Sequence, residues 1–182
     1  MKTLVIVTHP NIHDSMVSKT WVHMLRQHPD RFTVHELYSE YPDGVIDVER
    51  EQALVEEYQN IVLQFPVYWF NCPPLLKQWC DEVLTYGWAY GSKGKAFENK
   101  KLGIAVSLGA PAPEYSAEGS VGYTVAETLR PFELTANYIS ADYQPLFAFH
   151  TIDTYESYDE AAAQQVADSA DDYLAHLNTY YA

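Results

Sequence analysis

Residues 3–8, TLVIVT, form an unbroken apolar, β-branched run that stops at His9-Pro10. A strand with one wet face alternates polar and apolar side chains. A run without alternation reads as a strand covered on both faces, as in a parallel sheet. Pro10 has no N–H for a sheet ladder, so the strand ends there. Working outward, the next polar loop leads to Ser15, a helix cap for residues 16–28, in which Val17, Trp21, Met24, Leu25 and His28 share one face.

The alternation continues to the end of the chain. FTVHEL at 32–37 reads as a strand, YPDG at 41–44 as a turn, and Asp47 opens a helix to about residue 58. NIVLQF at 60–65 is a third strand, closed by Pro66. Pro73-Pro74 starts a helix to about residue 86, since a first-turn N–H has no helical partner to lose. A Gly- and Lys-rich loop spans 87–99, and KLGIAVSL at 101–108 is a fourth strand. A helix over 124–138, a strand over 143–149 and a helix over 156–178 complete the order. Strictly alternating β and α elements predict an α/β, three-layer sandwich: a five-stranded parallel sheet with helices on both faces. Right-handed crossovers make the flavodoxin-like order 2-1-3-4-5 the expectation, with residues 1–182 as a single domain.

The chain carries 11 Lys and Arg against 25 Asp and Glu, a formal net charge of −14. Such a surface repels phosphate backbones and anionic membranes, so no nucleic-acid partner is expected. The acid is concentrated late: residues 131–182 hold nine acidic side chains and no Lys or Arg, which reads as a solvated face. Cys72 and Cys80 are too few for a disulfide framework, and no apolar stretch reaches the length of a signal core or a membrane span. A cytoplasmic protein is expected. His9, His13, His23, His28, His35, His150 and His176 show no metal-ligand spacing, so no metal site is expected.

In an open parallel sheet, ligands sit beyond the carboxyl ends of the strands at the switch in strand order. Three loops leave strands there. HPNIHDS, 9–15, runs into a helix whose first N–H groups make an anion site without Lys or Arg; the alternative is an ordinary cap. PVYWFNCPP, 66–74, sets Tyr68, Trp69 and Phe70 between prolines, a flat apolar platform or else a seal over the core or a subunit contact. SLGAPAPEYS, 107–116, offers small residues for close backbone approach, and Tyr115 as a proton or hydrogen-bond donor or merely an exposed tyrosine. Lys93, Lys95, Lys100 and Lys101 form the one basic cluster, read as a solvated loop or as a contact for cofactor phosphates. There is no Walker, GxGxxG or GxSxG motif.

With THPNIHDS, FPVYWFNCPPLLKQWCDEVLTYGWAYG and LFAFH in view, the chain resembles the flavodoxin-fold NAD(P)H:quinone oxidoreductases over nearly its whole length. It is most similar to the small bacterial branch, which includes ancillary oxidoreductases of glutathione-gated potassium efflux systems and general-stress oxidoreductases. The resemblance implies FMN, or FAD, as cofactor and NAD(P)H as co-substrate. It implies two-electron, ping-pong transfer to quinones or similar electron-poor acceptors. His9, Ser15, Met16, Val17 and Ser18 would meet the flavin phosphate and ribityl chain. Pro66, Val67, Tyr68, Trp69 and Phe70 would hold the ring edge by backbone amides, and Ser107, Leu108, Gly109 and Ala110 its polar edge. Tyr115 would be the catalytic residue. Here SLGA replaces the family's TTGG, and Val121 stands where animal relatives place a histidine partner of that tyrosine. The resemblance also implies a homodimer with the flavin at the subunit contact. It leaves open a regulatory subunit of a potassium efflux transporter, and a flavodoxin-like electron carrier.

Overall fold

The computed structural model describes residues 2–150 and 159–182. Among them, β1 (Thr3–Val7), β2 (Phe32–Glu36), β3 (Asn60–Pro66) and β4 (Lys101–Leu108) form a parallel sheet with β5 (Asp142–Tyr143) and β6 (Phe147–His150). The order is β2-β1-β3-β4-β5, with β6 also on β4. The helices are α1 (Met16–Arg26), α2 (Leu37–Glu40), α3 (Val48–Glu56), α4 (Pro74–Val83), α5 (Val125–Thr128), α6 (Arg130–Tyr138) and α7 (Glu160–Tyr180).

The reading of residues 3–8 as doubly covered holds. Leu4 and Ile6 enter the core shared with Val55, Leu76, Trp79 and Phe132 of α3, α4 and α6. Val5 and Val7 enter the opposite core, with Trp21 and Leu25 of α1 and Tyr173 and Leu177 of α7. Ser15 caps α1 by accepting from Ser18 N–H at 3.0 Å, and Asp47 caps α3 by accepting from Arg50 N–H.

The differences from expectation have causes in the chain and in its packing. The expected fifth strand is split, because Pro145 has no N–H to pair. Gln144 N–H reaches Leu102, and the ladder resumes only at Phe147 opposite Ala105. The expected helix over 124–138 breaks into α5 and α6 at Leu129, where Pro131 removes the next helical donor. The single turn α2 buries Leu37 completely, a tertiary contact that the alternating pattern of 32–37 does not signal. Helices α1 and α4 end earlier than expected, at Arg26 and Val83, and His28 lies beyond the helix. α7 begins at Glu160; the expected start near residue 156 lies outside the described residues. Asp159, Glu160, Asp168, Asp171 and Asp172 are all exposed, as a solvated acidic face requires. Among the described residues no helix is long and apolar enough to cross a membrane.

Candidate functional site

The loops after β1, β3 and β4 leave the same edge of the sheet from adjacent strands, and main-chain and ring contacts tie them together. Thr8 N–H donates to Gln64 C=O at 2.8 Å, and Val67 N–H to Ser107 C=O at 2.9 Å. Pro66 lies opposite Ser107 in the ladder. The His9 and Tyr68 rings meet edge to face at 6.4 Å. Burial lowers the His9 pKa, favouring neutral imidazole, and Nδ1 accepts from Asn11 N–H at 3.1 Å. Ser15, Met16, Val17 and Ser18 stand at the head of α1, one short turn beyond His9. Ser15 Oγ satisfies the Ser18 donor, which leaves its own O–H proton and the first helical N–H groups, at Met16 and Val17, for a ligand. The side chains of Val17, Ser18, Pro66 and Leu108 are buried. A cleft of about 160 Å³ beside this loop is lined by His9, Asn11, His13, Glu36, Tyr38 and Ser39.

The 66–72 loop is built unusually. Tyr68 and Asn71 exchange both main-chain hydrogen bonds, 2.8 and 3.0 Å, across a two-residue turn. Its central residues, Trp69 and Phe70, have φ of +47° and +62°. Left-handed backbone of this kind is the pattern of a type I′ turn, where Asn and Gly are usual. For residues with a Cβ it costs roughly 1–2 kcal/mol each. The strain is not repaid by packing: Trp69 is 92% exposed, Phe70 50% and Tyr68 40%. These aromatics therefore do not seal the core of the chain. The N–H groups of Trp69 and Phe70 have no hydrogen-bond partner among the described residues, nor do those of Gly109 and Ala110. A Cβ placed on Gly109 would meet nothing within 4 Å, so the approach to that turn is open.

Tyr115 follows a short 3-10 turn, Ala112–Glu114, and is half-buried. Burial, then the neighbouring Glu114 carboxylate, pushes its hydroxyl above the ordinary value of 10, so it keeps its proton at neutral pH. The imidazole beside it comes from His150 at the end of β6, with ring centroids 5.7 Å apart. His150 Nδ1 lies 3.0 Å from the Ala110 carbonyl. His150 lies outside the three loops singled out from the sequence. The same rule that singled out the ends of the first, third and fourth strands would have reached it at the end of LFAFH. Thr8 and Gln64 also lie outside those loops; their buried side-chain polar atoms lack partners among the described residues, at the carboxyl ends of β1 and β3.

Other candidates lose ground. Lys100 is buried, and its Nζ donates to the carbonyls of Tyr58 and Glu56; Lys101 Nζ donates to Tyr180 C=O at 2.8 Å. These two lysines clamp the fold and are neither a solvated loop nor free for cofactor phosphates. Lys93 and Lys95 are exposed. Burial raises the Cys72 thiol and pushes Cys80 up to about 12, which makes both poor nucleophiles. Among the described residues no group of three or more His, Cys, Asp or Glu could hold a metal ion.

The family described by the flavodoxin-like fold matches residues 1–177. A general stress protein 14 from Treponema denticola, solved in complex with FMN, is 62% identical with a TM-score of 0.93, covering 98% of this chain and 99% of that one. The NAD(P)H oxidoreductase YrkL of Bacillus subtilis is 53% identical over 147 residues, 81% of this chain and 84% of its own. An NADPH-quinone reductase from P. pentosaceus is 34% identical with a TM-score of 0.80, covering 95% and 97%. KefG of Erwinia tasmaniensis, an ancillary protein of a glutathione-regulated potassium-efflux system, is 41% identical over 135 residues, 74% of this chain and 73% of its own.

Proposed function

The chain belongs to the flavodoxin-like-fold family, and on that premise we propose that it is an FMN-dependent NAD(P)H oxidoreductase passing two electrons to quinones or similar electron-poor acceptors. The observation that carries this reading is the row of unpartnered backbone donors at the carboxyl edge, at Trp69 and Phe70 on one side and Gly109 and Ala110 on the other. Held in that way they fit a flat group whose polar rim accepts hydrogen bonds. The open N–H groups at the head of α1 and the Ser15 hydroxyl fit its phosphate, and no basic side chain is needed. The FMN-bound relative supports FMN over FAD.

When bound, the flavin supplies the redox chemistry, taking an electron pair from NAD(P)H and giving it to an acceptor that follows in the same pocket. The chain's part is orientation and electrostatics. Amides fixed by the 68–71 turn and by the end of β4 would hold a flavin's polar rim, and they would need no reorganisation as that rim gained negative charge. The strain at Trp69 and Phe70 is the cost of that aim. Tyr115, protonated at neutral pH, offers a hydrogen bond or proton to the acceptor oxygen. The exposed Trp69 and Phe70 give the site an aromatic wall, and a homodimer that packs against them follows from the same reading.

Stopped-flow mixing of the FMN-loaded protein with NADPH, then with benzoquinone, tests it. Rapid bleaching, rapid recovery and parallel double-reciprocal plots are expected. Slow bleaching with fast one-electron exchange to a protein partner would point to an electron carrier instead. The KefG relative favours a second role beside the first, as an ancillary subunit of a potassium-efflux transporter in the cytoplasm. Co-purification with such a transporter's soluble domain tests that role, and failure to associate at micromolar concentrations removes it.

A further inference from the structure

We infer that His150 is a positioning residue for this site: one imidazole caps the Ala110 carbonyl and braces the Tyr115 ring, holding the amide-bearing turn and the tyrosine in one arrangement. The inference rests on the flavoenzyme reading above.

Among the described residues the ladder pairs β4 with β6 as far as Leu108, which lies opposite His150. Gly109 and Ala110 lie beyond it, with N–H groups that no described residue satisfies. The His150 Nδ1 contact with Ala110 C=O, at 3.0 Å, anchors the turn to the end of β6. A carbonyl cannot donate, so Nδ1 carries the hydrogen of this contact. Ala110 is followed by Pro111, so the peptide between them has a carbonyl but no N–H. Uncapped, that oxygen would place partial negative charge beside a rim that becomes more negative on reduction. Capped by Nδ1–H, it is neutralised and turned toward β6. The same ring lies 5.7 Å from the Tyr115 ring at an interplanar angle of 57°. Tyr115 packs one side against the core, and its loop is closed by Val121 N–H to Glu114 C=O; the His150 ring is the aromatic neighbour that its side chain has among the described residues.

The two contacts can be separated by substitution. His150→Phe keeps a ring against Tyr115 and removes the donor. His150→Asn keeps a donor at the Nδ1 position and removes the ring. The probes are FMN titration, the midpoint potential of bound FMN, and turnover with benzoquinone. His150→Phe is expected to weaken binding of reduced FMN about tenfold more than that of oxidised FMN, a shift of roughly −30 mV for a two-electron couple. His150→Asn is expected to leave the potential at the wild-type value and FMN affinity unchanged, while kcat falls about tenfold. If His150→Phe does not fold, His150→Gln, which also lacks a donor at the Nδ1 position, takes its place with the same expectation. Variants with wild-type potential and wild-type kcat, in a protein that does bind FMN, overturn the inference. A wild-type protein that binds no flavin overturns the functional reading instead. The anchor itself is then read by ring ¹⁵N NMR of the apo-protein: protonated Nδ1 supports it, and a bare Nδ1 contradicts it.

Discussion

The connections on either side of α4, residues 66–73 and 84–100, are both rich in aromatic side chains and turn-forming residues, and they dispose of their polar groups in opposite ways. In 84–100, Gly87 N–H reaches Tyr90 C=O, Ala96 N–H reaches Trp88 C=O, and Trp88 Nε1 donates to Glu56 at 2.7 Å. Gly94 packs so closely that a Cβ would lie 2.2 Å from the Tyr90 oxygen. The sealing extends into α3 and α4, where the buried Glu51 carboxylate accepts from His35 at 2.8 Å, Tyr41 at 2.6 Å and Trp79 at 2.8 Å. In 66–73 the aromatics project outward, two residues hold left-handed backbone, and two N–H groups are left open among the described residues. One region uses its polar groups to hold the fold. The other keeps them free, at a cost in stability, and that is the mark of a surface shaped for a ligand.

The largest expected effect falls on the sealed side. Glu51→Ala leaves the hydrogens of His35, Tyr41 and Trp79 without their common acceptor and should cost about 3–5 kcal/mol in denaturant unfolding. FMN affinity of the folded fraction should not change. If affinity falls in step with stability, the two regions are not independent. The same carboxylate carries a pH signature. Burial alone would raise its pKa, but the hydrogen bonds from His35 and Tyr41, with the nearby imidazole, outweigh burial and hold it below the ordinary 4.5. Its contribution is therefore complete above pH 4.5 and is lost as pH falls through the lower folded value. Glu51→Gln should flatten that acid limb of the stability curve, and an unchanged acid limb removes Glu51 from the account of the framework.

On the open side, Tyr115→Phe should lower kcat with benzoquinone about a hundredfold, near 2.7 kcal/mol of barrier, with unfolding and FMN affinity at wild-type levels. An equal loss in stability would make Tyr115 part of the framework. The smallest effect is also the most particular. Trp69→Gly removes an exposed side chain from a position with φ of +47°. It should raise stability by about 0.5–1 kcal/mol, since relief of left-handed strain exceeds the entropy that glycine adds to the unfolded chain. FMN affinity should fall. A destabilised variant with unchanged affinity would reverse the comparison between the two loops.

Much of the architecture could be read from the residues, because each cue was local. The run at 3–8, the caps Ser15 and Asp47, and the prolines at 10 and 73–74 mark elements by their own chemistry. What escaped depends on distant partners. Lys100 reads as a solvated charge until the carbonyls of Glu56 and Tyr58 are brought to it. The 68–71 turn has neither Gly nor Asn at its strained centre, so composition does not announce it. The split of the fifth strand could have been inferred from Pro145, whereas α2 depends on the burial of Leu37. The loops of the candidate site were legible as loops at strand ends, but the meeting of Tyr115 with His150 spans 35 positions of sequence and needed the fold.

The central claim, that the open carboxyl edge exists to hold a flavin, is tested most directly by titrating FMN into the purified apo-protein and recording the visible spectrum before and after NADPH. The account predicts saturable uptake of about one FMN per chain, a bound-flavin spectrum, and its rapid bleaching. A protein that stays colourless and takes up neither FMN nor FAD contradicts it.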